Sequence, residues 1–108
     1  MKFQFAAKLY EQHRRTIGAG FMRKLCKEDD DSIRNKGRPA ALSVTEIWRD
    51  NLGSFDQDKV APLAVRFFRD KKHYIIQGND GKISLTEIGR QHCNDEDKDL
   101  TLPEYYQQ

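Results

Sequence analysis

The sequence predicts a mostly α fold with one small antiparallel β-hairpin, on three observations. An apolar stripe at helical spacing runs from Phe3 to about Leu25. Two further helical patterns, each with its own start signal, follow between residues 43 and 73. Two apolar, β-branched-rich runs then flank Gly78-Asn79-Asp80-Gly81, residues that tolerate the positive φ angles of a tight turn.

In the first segment, 3–27, Ala6, Leu9, Tyr10, His13, Ile17, Phe21, Met22 and Leu25 share one face. That face serves the core or, alternatively, a homodimer seam. His13 on it reads as a core histidine. Gly18 and Gly20 predict a break into two helices or a close helix crossing. Residues 28–40 read as a polar, mobile loop, acidic from Glu28 to Asp31 and basic at Arg34, Lys36 and Arg38.

The helix-turn-helix segment, 43–73, has a clear start. Ser43-Val44-Thr45-Glu46 forms a capping box, with Val44, Ile47, Trp48 and Leu52 at core spacing and Gly53 as the stop. Ser54-Phe55-Asp56-Gln57 offers a second box of the same type. The helix after it buries Val60, Leu63, Ala64, Phe67 and Phe68 and turns Lys59, Arg66, Arg69 and Asp70 outward. Pro62 cannot donate an amide proton, so it must lie near this helix's start, with regular helix from about Asp58 or later. Lys71, Lys72 and His73 fall in the last turn, where cations suit the dipole. A hairpin over 74–85 leads into a closing helix, 86–93, with Thr86 as N-cap and Glu87 in the first turn.

A chain of 108 residues supports one domain, here 1–93, followed by an acidic tail, 94–108. With 37% hydrophobic and 33% charged residues it reads as soluble and globular. No apolar run approaches the roughly 18 residues of a membrane span, and Met1 to Ala7 lacks the apolar region of a signal peptide. A cytoplasmic location is the expectation. Cys26 and Cys93 then read as buried or incidental thiols, with neither a disulfide framework nor the spacing of a zinc site.

The net charge of +2 conceals an asymmetry. Asp95, Glu96, Asp97, Asp99 and Glu104 stand against Lys98 in the tail, which leaves 18 basic and 12 acidic residues before it, about +6. A basic body suits an anionic partner, duplex DNA foremost, and equally an ordinary solvated surface. The tail is either a solvated terminus or a competitor for the basic surface, and Tyr105-Tyr106 leaves open that it docks.

In a helix-turn-helix the second helix enters the major groove with its N-terminal residues foremost. Those residues are Ser54, Gln57, Asp58 and Lys59, with Arg66 one to two turns on and Arg69 a further candidate. Gln57 suits adenine, Arg66 guanine and Lys59 a phosphate, while Asp56 and Asp58 oppose phosphates. The hairpin would bring Gln77, Asn79 and Lys82 to the adjacent backbone or minor groove, and Arg34 and Arg38 are phosphate-contact candidates on the charged loop. No phosphate loop, metal-ligand spacing or nucleophile with a base is present, so neither catalysis nor a cofactor is expected.

Residues 43–90 resemble the winged helix-turn-helix of bacterial transcriptional regulators, the multiple-antibiotic-resistance-regulator type among others. In those a wing closes with Leu-Thr-x-x-Gly, and Leu85-Thr86-Glu87-Ile88-Gly89 matches. The resemblance covers roughly half the chain. It implies a winged helix with an extra N-terminal helical segment, Gln57 to Arg69 as recognition helix and Gly78 to Lys82 as wing tip. It also implies a small DNA-binding regulator of transcription, with any homodimer resting on the N-terminal helix. The wing arginine common in the family is replaced by Asp80-Gly81-Lys82, and the long C-terminal dimerisation helix is missing. The alternative function is a non-catalytic protein-interaction adaptor on the same scaffold, with Phe3, Phe5, Phe21 and Phe55 as candidate contacts if exposed.

Overall fold

The computed structural model describes residues 8–94 and 99–105. The expected helix start at Phe3, with Phe5 and Ala6, lies outside them, as do 95–98 and Tyr106. His13, at φ −127°, divides the N-terminal segment. Residues 8–12 are helical (α1), and α2 then runs Arg14–Lys36. Tyr10, Ile17, Phe21, Met22 and Leu25 are all buried in the chain's own core, so the stripe is a core stripe. His13 itself is half-buried against the Phe55 ring, 5.6 Å between centroids.

The charged stretch from residue 28 is not a loop. Helix α2 carries it to Lys36, because the charges that look like linker composition pair at helical spacing. Lys24 meets Glu28 at 3.2 Å and Arg34 meets Asp30 at 3.0 Å. The helix stops where Gly37, at φ 70°, takes the left-handed cap and donates its N–H to the Ile33 carbonyl. Nor do Gly18 and Gly20 break it. Nor does Gly18 mark a helix crossing: its neighbour is the non-helical segment at Leu100, whose carbonyl oxygen would stand 1.8 Å from a Cβ there.

Helix α3 covers Val44–Asn51 and begins with the expected box. Glu46 N–H donates to Ser43 Oγ at 3.2 Å, and Ser43 N–H to the Glu46 carboxylate at 3.1 Å. The turn after it is pinned by Trp48, whose indole N–H donates to the Phe55 carbonyl at 2.9 Å. Helix α4 covers Gln57–Arg66. Its cap is Asp56, accepting from the amides of Asp58 and Lys59, so the second box at Ser54 does not form. Pro62 lies inside α4, its sixth residue, on the exposed side. Regular helix nonetheless starts at Gln57. After Arg66 the chain widens into a π-helical turn, Phe67–Lys71, and leaves it at His73, φ 59°. Lys72 is therefore the cap and His73 stands beyond the helix.

Strands β1 (Ile75–Gln77) and β2 (Ile83–Leu85) form the hairpin, with Ile75 opposite Leu85 and Gln77 opposite Ile83. Gly81 takes φ 81° and returns its N–H to the Gly78 carbonyl. Leu42, just before α3, bridges to Ile83 with reciprocal bonds of 2.9 and 2.7 Å, which ties the hairpin to the helices. Thr86 caps α5 (Glu87–Gln91) through Gly89 N–H at 3.0 Å. A 3-10 turn, His92–Asn94, follows.

Two further corrections concern the C-terminal part. Cys26 and Cys93 are joined as a disulfide between α2 and the 3-10 turn, with Cα atoms 5.8 Å apart. Their sequence separation of 67 hid the pairing, because Cys26 faces Cys93 only once α2 is continuous. Residues 99–105 are not a solvated terminus. Leu100 and Leu102 are buried, and the Tyr10 hydroxyl donates to the Pro103 carbonyl at 2.6 Å. Arg14 donates to the Leu102 carbonyl at 3.1 Å, and the Tyr105 ring meets Tyr10 edge-on at 5.9 Å. The core is completed by Phe68, stacked on Phe21 at 5.2 Å and near Tyr74 at 6.3 Å.

Candidate nucleic-acid interface

Helix α4 and the hairpin share one surface. An open groove of about 350 Å³ lies between them, floored by Val44, Ala61 and Val65 and edged by Gln57, Asp58, Arg66, Arg69 and Gln77. A side-chain bond joins its two walls, Arg69 Nη1 donating to Gln77 Oε1 at 3.0 Å. Gln77 in turn donates to the Gly81 carbonyl at 3.3 Å, so helix, strand and hairpin tip are linked in series.

Each proposed reader has a definite position. Gln57 is half-buried and donates to Thr45 Oγ1 at 3.2 Å, which aims it along the α3–α4 turn. Ser54, Lys59 and Arg66 are exposed on the α4 side; Asn79 and Lys82 are exposed at the hairpin tip. Lys82 N–H donates to the Asp80 carboxylate at 3.0 Å, which stiffens that tip. The Arg69 guanidinium donates to the Asp70 carboxylate from Nε and Nη2, at 2.9 and 3.2 Å. The pair holds the Asp70 carboxyl below its usual range and the Arg69 guanidinium above its own. Arg69 thus reaches the surface already neutralised.

Two expected residues stand apart. Arg34 is on the last turns of α2, paired with Asp30. Arg38 follows the helix cap, its carbonyl accepting from the Ser32 hydroxyl at 2.7 Å. Neither lines the α4 groove. Nor do the α4 amides form an open anion cradle, since Asp56 takes those of Asp58 and Lys59. Any phosphate held here must be held by side chains.

A second concave surface escaped the sequence reading. Arg15, Arg23 and Lys27 line a groove of about 830 Å³ along α2, together with Arg34, Arg90 and the disulfide. The signal was present in the chain: Arg15, Ala19, Arg23 and Lys27 recur every four residues, one outward stripe of a helix. It was obscured because the stripe continues into the stretch read as a loop.

No family model matches this chain, and neither a curated protein nor a solved structure matches it. Among the described residues no helix is long and apolar enough to cross a membrane.

Proposed function

We propose that the chain is a small, non-catalytic DNA-binding protein on a winged-helix scaffold, a regulator of transcription in the cytoplasm. In this reading α4 enters the major groove and the 78–82 turn is the wing tip. The observation that carries it is the continuous surface of α4, the π-helical turn and the hairpin, the last two joined through Arg69 and Gln77. The order of α3, turn, α4 and hairpin supports it, as does the isolated bridge from Leu42 to Ile83. Lys59, Arg66 and Lys82 supply phosphate and guanine contacts; Ser54, Gln57 and Asn79 supply hydrogen bonds to base edges or backbone. The cores of α1 and α2 are covered by the chain itself, so a homodimer would use a different face.

Titrating labelled random duplex with the full chain across a salt series tests this, with fluorescence anisotropy as the readout. The affinity should fall linearly in log salt, the slope counting phosphate contacts. Combining Lys59→Glu with Arg66→Glu should weaken binding at least ~100-fold at low salt while the thermal melt stays put. Unchanged affinity in that double variant would remove α4 as the reader.

One observation favours the adaptor reading. On this face Lys59, Arg66 and Arg69 are matched by Asp56, Asp58 and Asp70, and the groove floor is apolar. A surface of that kind suits a protein segment better than a polyanion. Absence of duplex binding at low salt, with a single protein partner lost on Ala61→Arg, would select it.

A further inference from the structure

We propose that the Cys26–Cys93 bridge is a reactive disulfide, opened and re-formed by small anionic thiols drawn into the cationic groove along α2. The inference stands independently of the DNA-binding proposal. The two cysteines are the only ones in the chain, and neither is enclosed: both are half-buried and line the open groove of about 830 Å³. A structural bridge in a packed core would offer no approach to an attacking sulfur. This one does.

Among the described residues that line the groove, cations outnumber acids. Of the groove's acids among the described residues, Asp30 is paired with Arg34 and buried Asp29 with Arg90, at 2.8 Å. Asp29 also accepts from Ala40 N–H. Arg15, Arg23 and Lys27 make no ion pair among the described residues. Arg23 lies three residues before Cys26 on the same helix, at the spacing that puts two side chains on one face, and Lys27 lines the same groove. Positive neighbours favour a thiolate and gather anions from solution.

This asymmetry sets the direction of exchange. An incoming thiolate attacks Cys93 Sγ, the S–S bond breaks, and its electron pair leaves on Cys26, whose thiolate Arg23 and Lys27 stabilise. The product is a mixed disulfide at Cys93. A second small thiolate attacks the outer sulfur of that mixed disulfide, releasing the small disulfide and the Cys93 thiolate. Two thiols are oxidised, one protein disulfide is reduced, and their two protons end on the protein thiols. The reverse sequence, with a small disulfide as oxidant, closes the bridge. A bridge that cycles in this way is compatible with a reducing compartment, where a static one is rare.

The test measures reduction rates of the oxidised full chain by three thiols of different charge: glutathione, 2-mercaptoethanol and cysteamine. Each rate is divided by that thiol's rate on a neutral model disulfide at the same pH. Glutathione should then exceed cysteamine by roughly three- to tenfold at low ionic strength, and the preference should vanish near ~0.5 M salt. Combining Arg23→Gln with Lys27→Gln, both at exposed positions, should abolish the preference without moving the melt of the oxidised protein. Equal normalised rates for the three thiols, a preference that survives the double variant, or two free thiols per chain after air oxidation would each overturn the proposal.

Discussion

Gly18 and Gly89 are the points where two backbones meet without room for a side chain. A Cβ at Gly89 would stand 2.1 Å from the Tyr74 carbonyl oxygen, and one at Gly18 would meet Leu100 as described above. In an ordinary helix Gly→Ala gains up to about 1 kcal/mol. At Gly18 the obstructing atoms are backbone, so the tail must shift, and Gly18→Ala should destabilise by ~1–3 kcal/mol in denaturant unfolding. A stabilised variant would show that the contact is loose in solution. Tyr10 carries a second prediction. Burial, with Glu11 adding to it, raises its phenol from 10.0 to about 12. The folded state therefore favours the neutral phenol. That contribution is intact below pH 10.0 and is lost as pH rises from there to about 12. Phenolate absorbance of the folded chain should show a late step that Tyr10→Phe removes.

Elements were legible where a local rule names its residue, and obscured where tertiary contact decides. Thr86 is of the first kind. Its hydroxyl accepts from Gly89 N–H and donates to the His73 carbonyl at 2.6 Å, joining α5 to the strained end of the π-helical turn. Thr86→Ala should cost ~1–2 kcal/mol by thermal or denaturant melts, and Thr86→Ser should restore most of it. The Ser43 box and the hairpin turn were equally readable, since each lies within a few residues of sequence. Residues 28–36 were not: a run of acids then bases suggests a loop until i,i+4 pairing and a buried Asp29 are seen together. The π-helical turn had no sequence signature either; it brings Phe67, Phe68 and Tyr74 into one aromatic row. Of the candidate site, the outward positions of Lys59 and Arg66 were readable. The neutralisation of Arg69 by its own neighbour Asp70 was not, because adjacent residues on a helix do not ordinarily face each other.

At the scale of the molecule, the N- and C-terminal parts close on each other. Segment 99–105 lies over α1 and the first turns of α2, and the disulfide fixes the chain just before it. Acidic composition pointed to a solvated tail, yet Leu100 and Leu102 alternate with Thr101 and Pro103 so that two leucines enter the core. Burying one leucine contributes ~2–5 kcal/mol by the cost of its removal, against a total stability of ~5–15 kcal/mol for a small domain. Deleting residues 99–108 should therefore lower the melting temperature by more than about 10 °C. It should also weaken the near-ultraviolet dichroism of Tyr10 and Phe68, whose rings would lose their cover. Leu102→Ala, a smaller change, should cost ~2–4 kcal/mol and leave Leu100 in place, separating packing from mere chain length. A deletion that melts with the intact chain would mean that the tail does not lie on the helices in solution. The core would then be closed by α1, α2 and the π-helical turn without it, and Gly18 would have no backbone to avoid.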